Sequence, residues 1–60
     1  MILAHVNGLL TVCNVLERDG EKVRVKVSDE KRAKWIDLSL GKHKLFDHVD
    51  DACAWVDAEN

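Results

Sequence analysis

Polar and apolar residues along this chain change period once. Up to Leu40 they alternate in short runs, the pattern of strands, and beyond Leu45 they recur at helical spacing. Two turn dipeptides, Asn7-Gly8 and Asp19-Gly20, interrupt the alternating part. Type I′ hairpin turns need positive φ at both central residues, which Asn-Gly and Asp-Gly adopt at least cost. The first half therefore reads as a three-stranded meander.

Pairing outward from Asp19-Gly20 sets Arg18 opposite Glu21 and Glu17 opposite Lys22, two matched charges. Leu16 then meets Val23, Asn14 meets Val25 and Val12 meets Val27, so one face is apolar apart from Asn14. A bulge near Asn14 is the other way to reconcile this pattern. The opposite face sets Val15 against Arg24 and Cys13 against Lys26. From Asn7-Gly8, the same procedure brings Val6 to Leu9, His5 to Leu10, Ala4 to Thr11 and Leu3 to Val12. The middle strand, Leu9 to Leu16, is apolar on both faces, as in a strand covered on two sides or bent round a small barrel.

Ser28 to Arg32 is a charged connector, after which Lys34 to Leu40 alternates again and Gly41 ends the strand. Lys42-His43-Lys44 reads as a loop. Leu45, Val49, Ala52, Cys53 and Val56 then fall on one side of a helix over about residues 47–58. Asp47 is its expected N-cap, Asp50 and Asp51 suit the positive end of its dipole, and Phe46 is a staple or core residue. The order is ββββα: mainly β with a C-terminal helix, either a small SH3-like barrel or an antiparallel meander capped by one helix. Sixty residues make a single small domain, 1–60, near the lower limit for a self-sufficient core.

Charge sharpens the picture. Residues 21–34 carry six basic and three acidic side chains, whereas residues 47–60 carry five acids and no Lys or Arg. That division argues against an all-round nucleic-acid binder but permits a local basic face. No segment is long and apolar enough to cross a membrane, and the apolar start lacks the basic flank and length of a secretion signal. Two cysteines forty residues apart match no zinc or redox spacing, so a cytoplasmic protein with free thiols is expected.

Candidate chemistry is sparse. His43, Asp47, His48, Asp50 and Asp51 do not converge on one point at helical angles, so no metal is expected, and no cofactor motif is present. Cys13, Cys53, His5, His43 and His48 are the groups available to an enzyme. Cys13 falls in a strand and Cys53 in the apolar stripe, where free cysteine acts as a small hydrophobe, so no catalysis is expected. A helix docked over the middle strand would bring the two cysteines near each other.

What remains is a surface: Lys22, Arg24, Lys26, Trp35 and Asp37 on the outer face of the sheet, with His48 and Trp55 flanking the helix. A tryptophan among cations suits either a protein contact or a stacked base with its phosphates. The sequence thus points to a small non-enzymatic protein-interaction or regulatory module. Its expected partner is a protein, including a second copy of itself through residues 1–6 or the Trp55 flank. The alternative is a nucleic-acid-binding module using the basic Trp35-bearing face.

Overall fold

A computed structural model describes all of residues 1–60. It contains five strands: β1 (Ile2–His5), β2 (Leu10–Asp19), β3 (Lys22–Val27), β4 (Lys34–Asp37) and β5 (His43–Phe46). A 3-10 turn, Leu38–Leu40, joins β4 to β5, and helix α1 (Val49–Glu59) follows. The strands form one antiparallel sheet in the order β4-β3-β2-β1-β5. This is the meander capped by a helix. The sheet is not closed into a barrel, because β4 and β5 are its two unpaired edges.

Both hairpins form, but neither uses the type I′ turn, since no residue other than glycine has positive φ. The first loop has three residues. The Gly8 N–H donates to the His5 carbonyl at 2.9 Å, and Gly8 takes the positive φ of +103°. Asn7 holds the loop with its side chain, whose Oδ1 accepts from the Leu9 N–H at 2.9 Å. The register becomes Leu3 opposite Thr11 and Ala4 opposite Leu10, one residue from the expected pairing. In the second hairpin the central pair is Gly20-Glu21, with Gly20 at φ +60°, where a type II′ turn places its glycine. Asp19 therefore pairs with Lys22, and Glu17 pairs with Arg24 rather than Lys22.

A β-bulge then shifts the ladder, so that Val15 pairs with Val25 and Cys13 with Val27. A one-residue slip exchanges the faces of a strand. Accordingly Cys13 is buried and Val15 packs against the core, whereas Val12 and Leu16 are exposed. Asn14 lies opposite Lys26 on the outer face, so there is no polar residue inside the valine face.

β2 is long enough to serve two neighbours in succession: its first half pairs with β1 and its second with β3. The sheet curls, and its inner face collects Leu3, Cys13, Val23, Val25 and Val27, with Ile36, Leu38 and Leu45 packed against them. The 3-10 turn touches both β3 and β5 across this curl. The strand covered on both sides is β1 rather than β2. Leu3 belongs to the inner core, while Ala4 points the other way, where α1 packs on β1 and β5. Residues 1–6 are thus no sheet edge.

Two further expectations are corrected. His43–Phe46 is a strand, held by pairing with β1, rather than a loop. The strand from Lys34 stops at Asp37, because its Oδ1 accepts from both the Ser39 N–H at 2.9 Å and the Ser39 hydroxyl at 2.6 Å and starts the 3-10 turn. In α1 the buried stripe is Ala52 with half-buried Trp55 and Val56, while Val49 and Cys53 are exposed. The N-cap is His48, not Asp47, and its side chain makes no capping bond.

Two substitutions test this description. Gly20→Val should lower stability by about 1 kcal/mol or more in denaturant unfolding, because an L-residue resists this φ although space for its Cβ is free. His48→Asp should raise it by about 1 kcal/mol, by supplying the missing cap acceptor and a charge favoured by the helix dipole.

Candidate functional site

The outer face of the sheet is divided. Over β1 and β5 it is covered by α1, which is held by the tilted contact of Trp55 with Phe46, ring centroids 5.9 Å apart, and by the Asn60 amide donating to the Val6 carbonyl at 2.8 Å. Over the second half of β2, β3 and β4 it is bare. There the structure brings together four of the sequence candidates, with Arg24 opposite Trp35 and Lys22 opposite Asp37. Lys26 lies further along β3, opposite Asn14. His48 and Trp55 are not part of this group: His48 stands exposed at the start of α1, and Trp55 is half-buried in docking the helix.

Registers decide the electrostatics of the bare face. Arg24 Nη1 lies 3.5 Å from Glu17 Oε1, and Lys22 has Asp19 on one side and Asp37 on the other. Arg24 and Lys22 are therefore flanked by three carboxylates on neighbouring strands, while Lys26, opposite Asn14, has no carboxylate across from it. Asp37 is held below the usual carboxylate range, chiefly by its two bonds from Ser39, so it stays charged. Between these charges Trp35 is 49% exposed and Leu16 is 52% exposed. A groove of about 370 Å³ at the β4 side is lined by Asp19, Lys22, Trp35, Ile36 and Asp37. Sequence reasoning missed Leu16, since its exposure follows from the bulge. Leu16 has no partner on β3, and no sequence signal marks that position.

A second, smaller cavity of about 140 Å³ opens at one end of the inner face, lined among others by His5, Thr11, Glu30, Lys34 and His43. His5 and His43 sit opposite each other on β1 and β5, their rings edge to face with centroids 4.5 Å apart. The Asn7 N–H donates to His5 Nδ1 at 3.0 Å, and Glu30 is taken up by Lys34 at 3.4 Å. This cavity is below the range typical of small-molecule sites. No three metal-ligating side chains converge anywhere in the chain.

Cys13 is buried and its thiol is pushed up by desolvation, the reverse of an activated nucleophile. Cys53 is exposed on α1 rather than set in the apolar stripe. The helix docks on the outer face while Cys13 faces inward, so the two thiols lie on opposite sides of the sheet and both are free. No helix is long and apolar enough to cross a membrane. No protein-family model, curated protein or solved structure matches this chain.

The histidine pair yields a pH prediction. Burial, followed by the nearby charges of His5, Lys34 and Lys42, pushes His43 below its ordinary value of 6.5. The unfolded chain then binds this proton more readily than the folded one. Stability present above the unfolded value should decline as pH falls through the folded-state value. His43→Gln should remove that part of the decline in denaturation midpoints. A wild-type minus variant difference that stays constant across this range would contradict the assignment.

Proposed function

We propose that this protein is a non-enzymatic protein-interaction module whose docking surface is the bare outer face of β2, β3 and β4. The observation that carries this reading is the combination of exposed Leu16 and Trp35 with carboxylates set opposite two of the three cations, Lys22 and Arg24. Mixed, neutralised charge around an aromatic anchor suits a protein surface, where apolar anchors supply affinity and polar groups set orientation. Phosphate binding needs cations in excess, because its affinity comes from counterion release by unmatched Lys and Arg. Here three carboxylates flank Lys22 and Arg24, and only Lys26 has none opposite. The buried, unactivated Cys13 and the small histidine-lined cavity support the non-enzymatic part. We read the curled sheet, with a 3-10 turn bridging β3 to β5, as an SH3-like barrel left open at that seam. Placement in the cytoplasm rests on the sequence argument alone.

The test has two arms. Single-stranded DNA and RNA oligonucleotides should not bind at near-physiological salt. In cells that make the protein, a benzophenone amino acid at Leu16 should give discrete protein adducts on irradiation. The same group at Ser39, off this face, should not. Tight, salt-sensitive oligonucleotide binding that Trp35→Ala weakens by roughly 1–3 kcal/mol, the value of a stacked base, would replace this reading with the nucleic-acid one. Absence of protein adducts at Leu16 would overturn it.

A further inference from the structure

We propose that the free edge of β4 pairs with β4 of a second copy of this chain, antiparallel and about a two-fold axis at Ile36. This concerns the strand edge rather than the sheet face, although Trp35 belongs to both.

The phase of the ladder shows what the edge offers. The Leu38 N–H donates to the Glu21 carbonyl at 2.8 Å, which makes Glu21–Leu38 a hydrogen-bonded pair. Pairs in an antiparallel ladder alternate, so the bonded ones along β4 are Ile36 with Val23 and Lys34 with Val25. The N–H and C=O of Trp35, and the N–H of Asp37, therefore point away from β3, past the edge. Proteins commonly blunt such edges with proline, bulges or covering segments. This chain contains no proline and the pairing of β4 with β3 is regular, so the edge is guarded only by its four-residue length and by Lys34 on the inner side.

Side chains then choose the register. Directly opposed residues share a face, so Trp35, which faces outward, must meet Trp35 or Asp37 of the second copy. With Trp35 against Asp37, Ile36 meets Ile36 on the inner side at the axis, and the Asp37 N–H donates to the Trp35 carbonyl at each end of the pair. The outer row then runs Glu17, Arg24, Trp35 in one copy and Asp37, Lys22, Asp19 in the other. Every charge in that row has an opposite charge or the indole beside it. With Trp35 against Trp35, Lys34 would instead oppose Ile36 on the apolar side. Charge complementarity favours the first arrangement and a second copy of this chain as the occupant.

The register makes a covalent test. Ile36 and its mate form a non-hydrogen-bonded antiparallel pair, with Cα atoms about 4.5 Å apart, within the span of a disulfide. In a Cys53→Ser background, mild oxidation of Ile36→Cys should give a disulfide-linked dimer at least tenfold faster than Lys34→Cys or Ser39→Cys. Sedimentation of the wild type should show a monomer–dimer equilibrium rising with concentration. Trp35→Pro, which removes the outward N–H and which an edge strand tolerates, should stay folded by circular dichroism and sediment as a monomer. A wild type that remains monomeric at millimolar concentration would overturn the proposal. So would equal cross-linking rates at positions 34, 36 and 39, or a folded Trp35→Pro that dimerises normally.

Discussion

Everything on the two faces of this sheet depends on how β2 reconciles a turn with a core. The Gly20-Glu21 turn fixes Asp19 opposite Lys22 and carries that alignment back to Glu17 opposite Arg24. Continued without interruption, it would set Val15 against Lys26 and turn the inner residues of β2 to the wrong side. The bulge gives up one pairing at Leu16 and restores Val15 to Val25 and Cys13 to Val27. Burying those side chains is worth on the order of 1.5–3 kcal/mol for each large one. A lost ladder bond with solvent at hand costs about 1 kcal/mol, so the bulge is favoured. Leu16 is left outside as the by-product.

The turn, rather than the bulge, determines the polar surface. Shifting the register takes Glu17 from Lys22 to Arg24 and gives Lys22 two carboxylate neighbours, Asp19 and Asp37. A face that looks basic when β3 is read alone becomes neutral once its neighbours are placed. On the covered half, small side chains set the geometry: Ala4 and Ala52 are both fully buried where α1 lies on β1. The close approach brings Trp55 within reach of Phe46.

Element types were largely legible in the sequence, since period and turn residues report local preference. Four of the five strands, both hairpins and the helix are read correctly in kind. Registers were not legible, because Asn-Gly and Asp-Gly fit loops of more than one length and only tertiary packing chooses among them. β5 escaped because Lys42-His43-Lys44 is polar by composition, and its strand is imposed by β1 alongside. The expected N-cap at Asp47 failed for a similar reason: the pairing of β5 through Phe46 sets where the chain is free to turn into α1. Of the candidate surface, Lys22, Arg24, Trp35 and Asp37 were placed together by simple alternation. Leu16 required the bulge, and the charge matching required the true turn register.

β1 lies inside the sheet, between β2 and β5, although it is first in the chain. Its partner on one side begins at Leu10, but its partner on the other is His43–Phe46, so Leu3 waits for Leu45. Closing that span carries a larger entropy cost than either hairpin, and contacts of such separation slow folding. The β2–β3 hairpin can assemble from its own turn, whereas the helix has no seat until β1 and β5 have met. β1 can join β2 through its own three-residue loop, so the long-range step is the arrival of β5 and α1 on a β1 already in place.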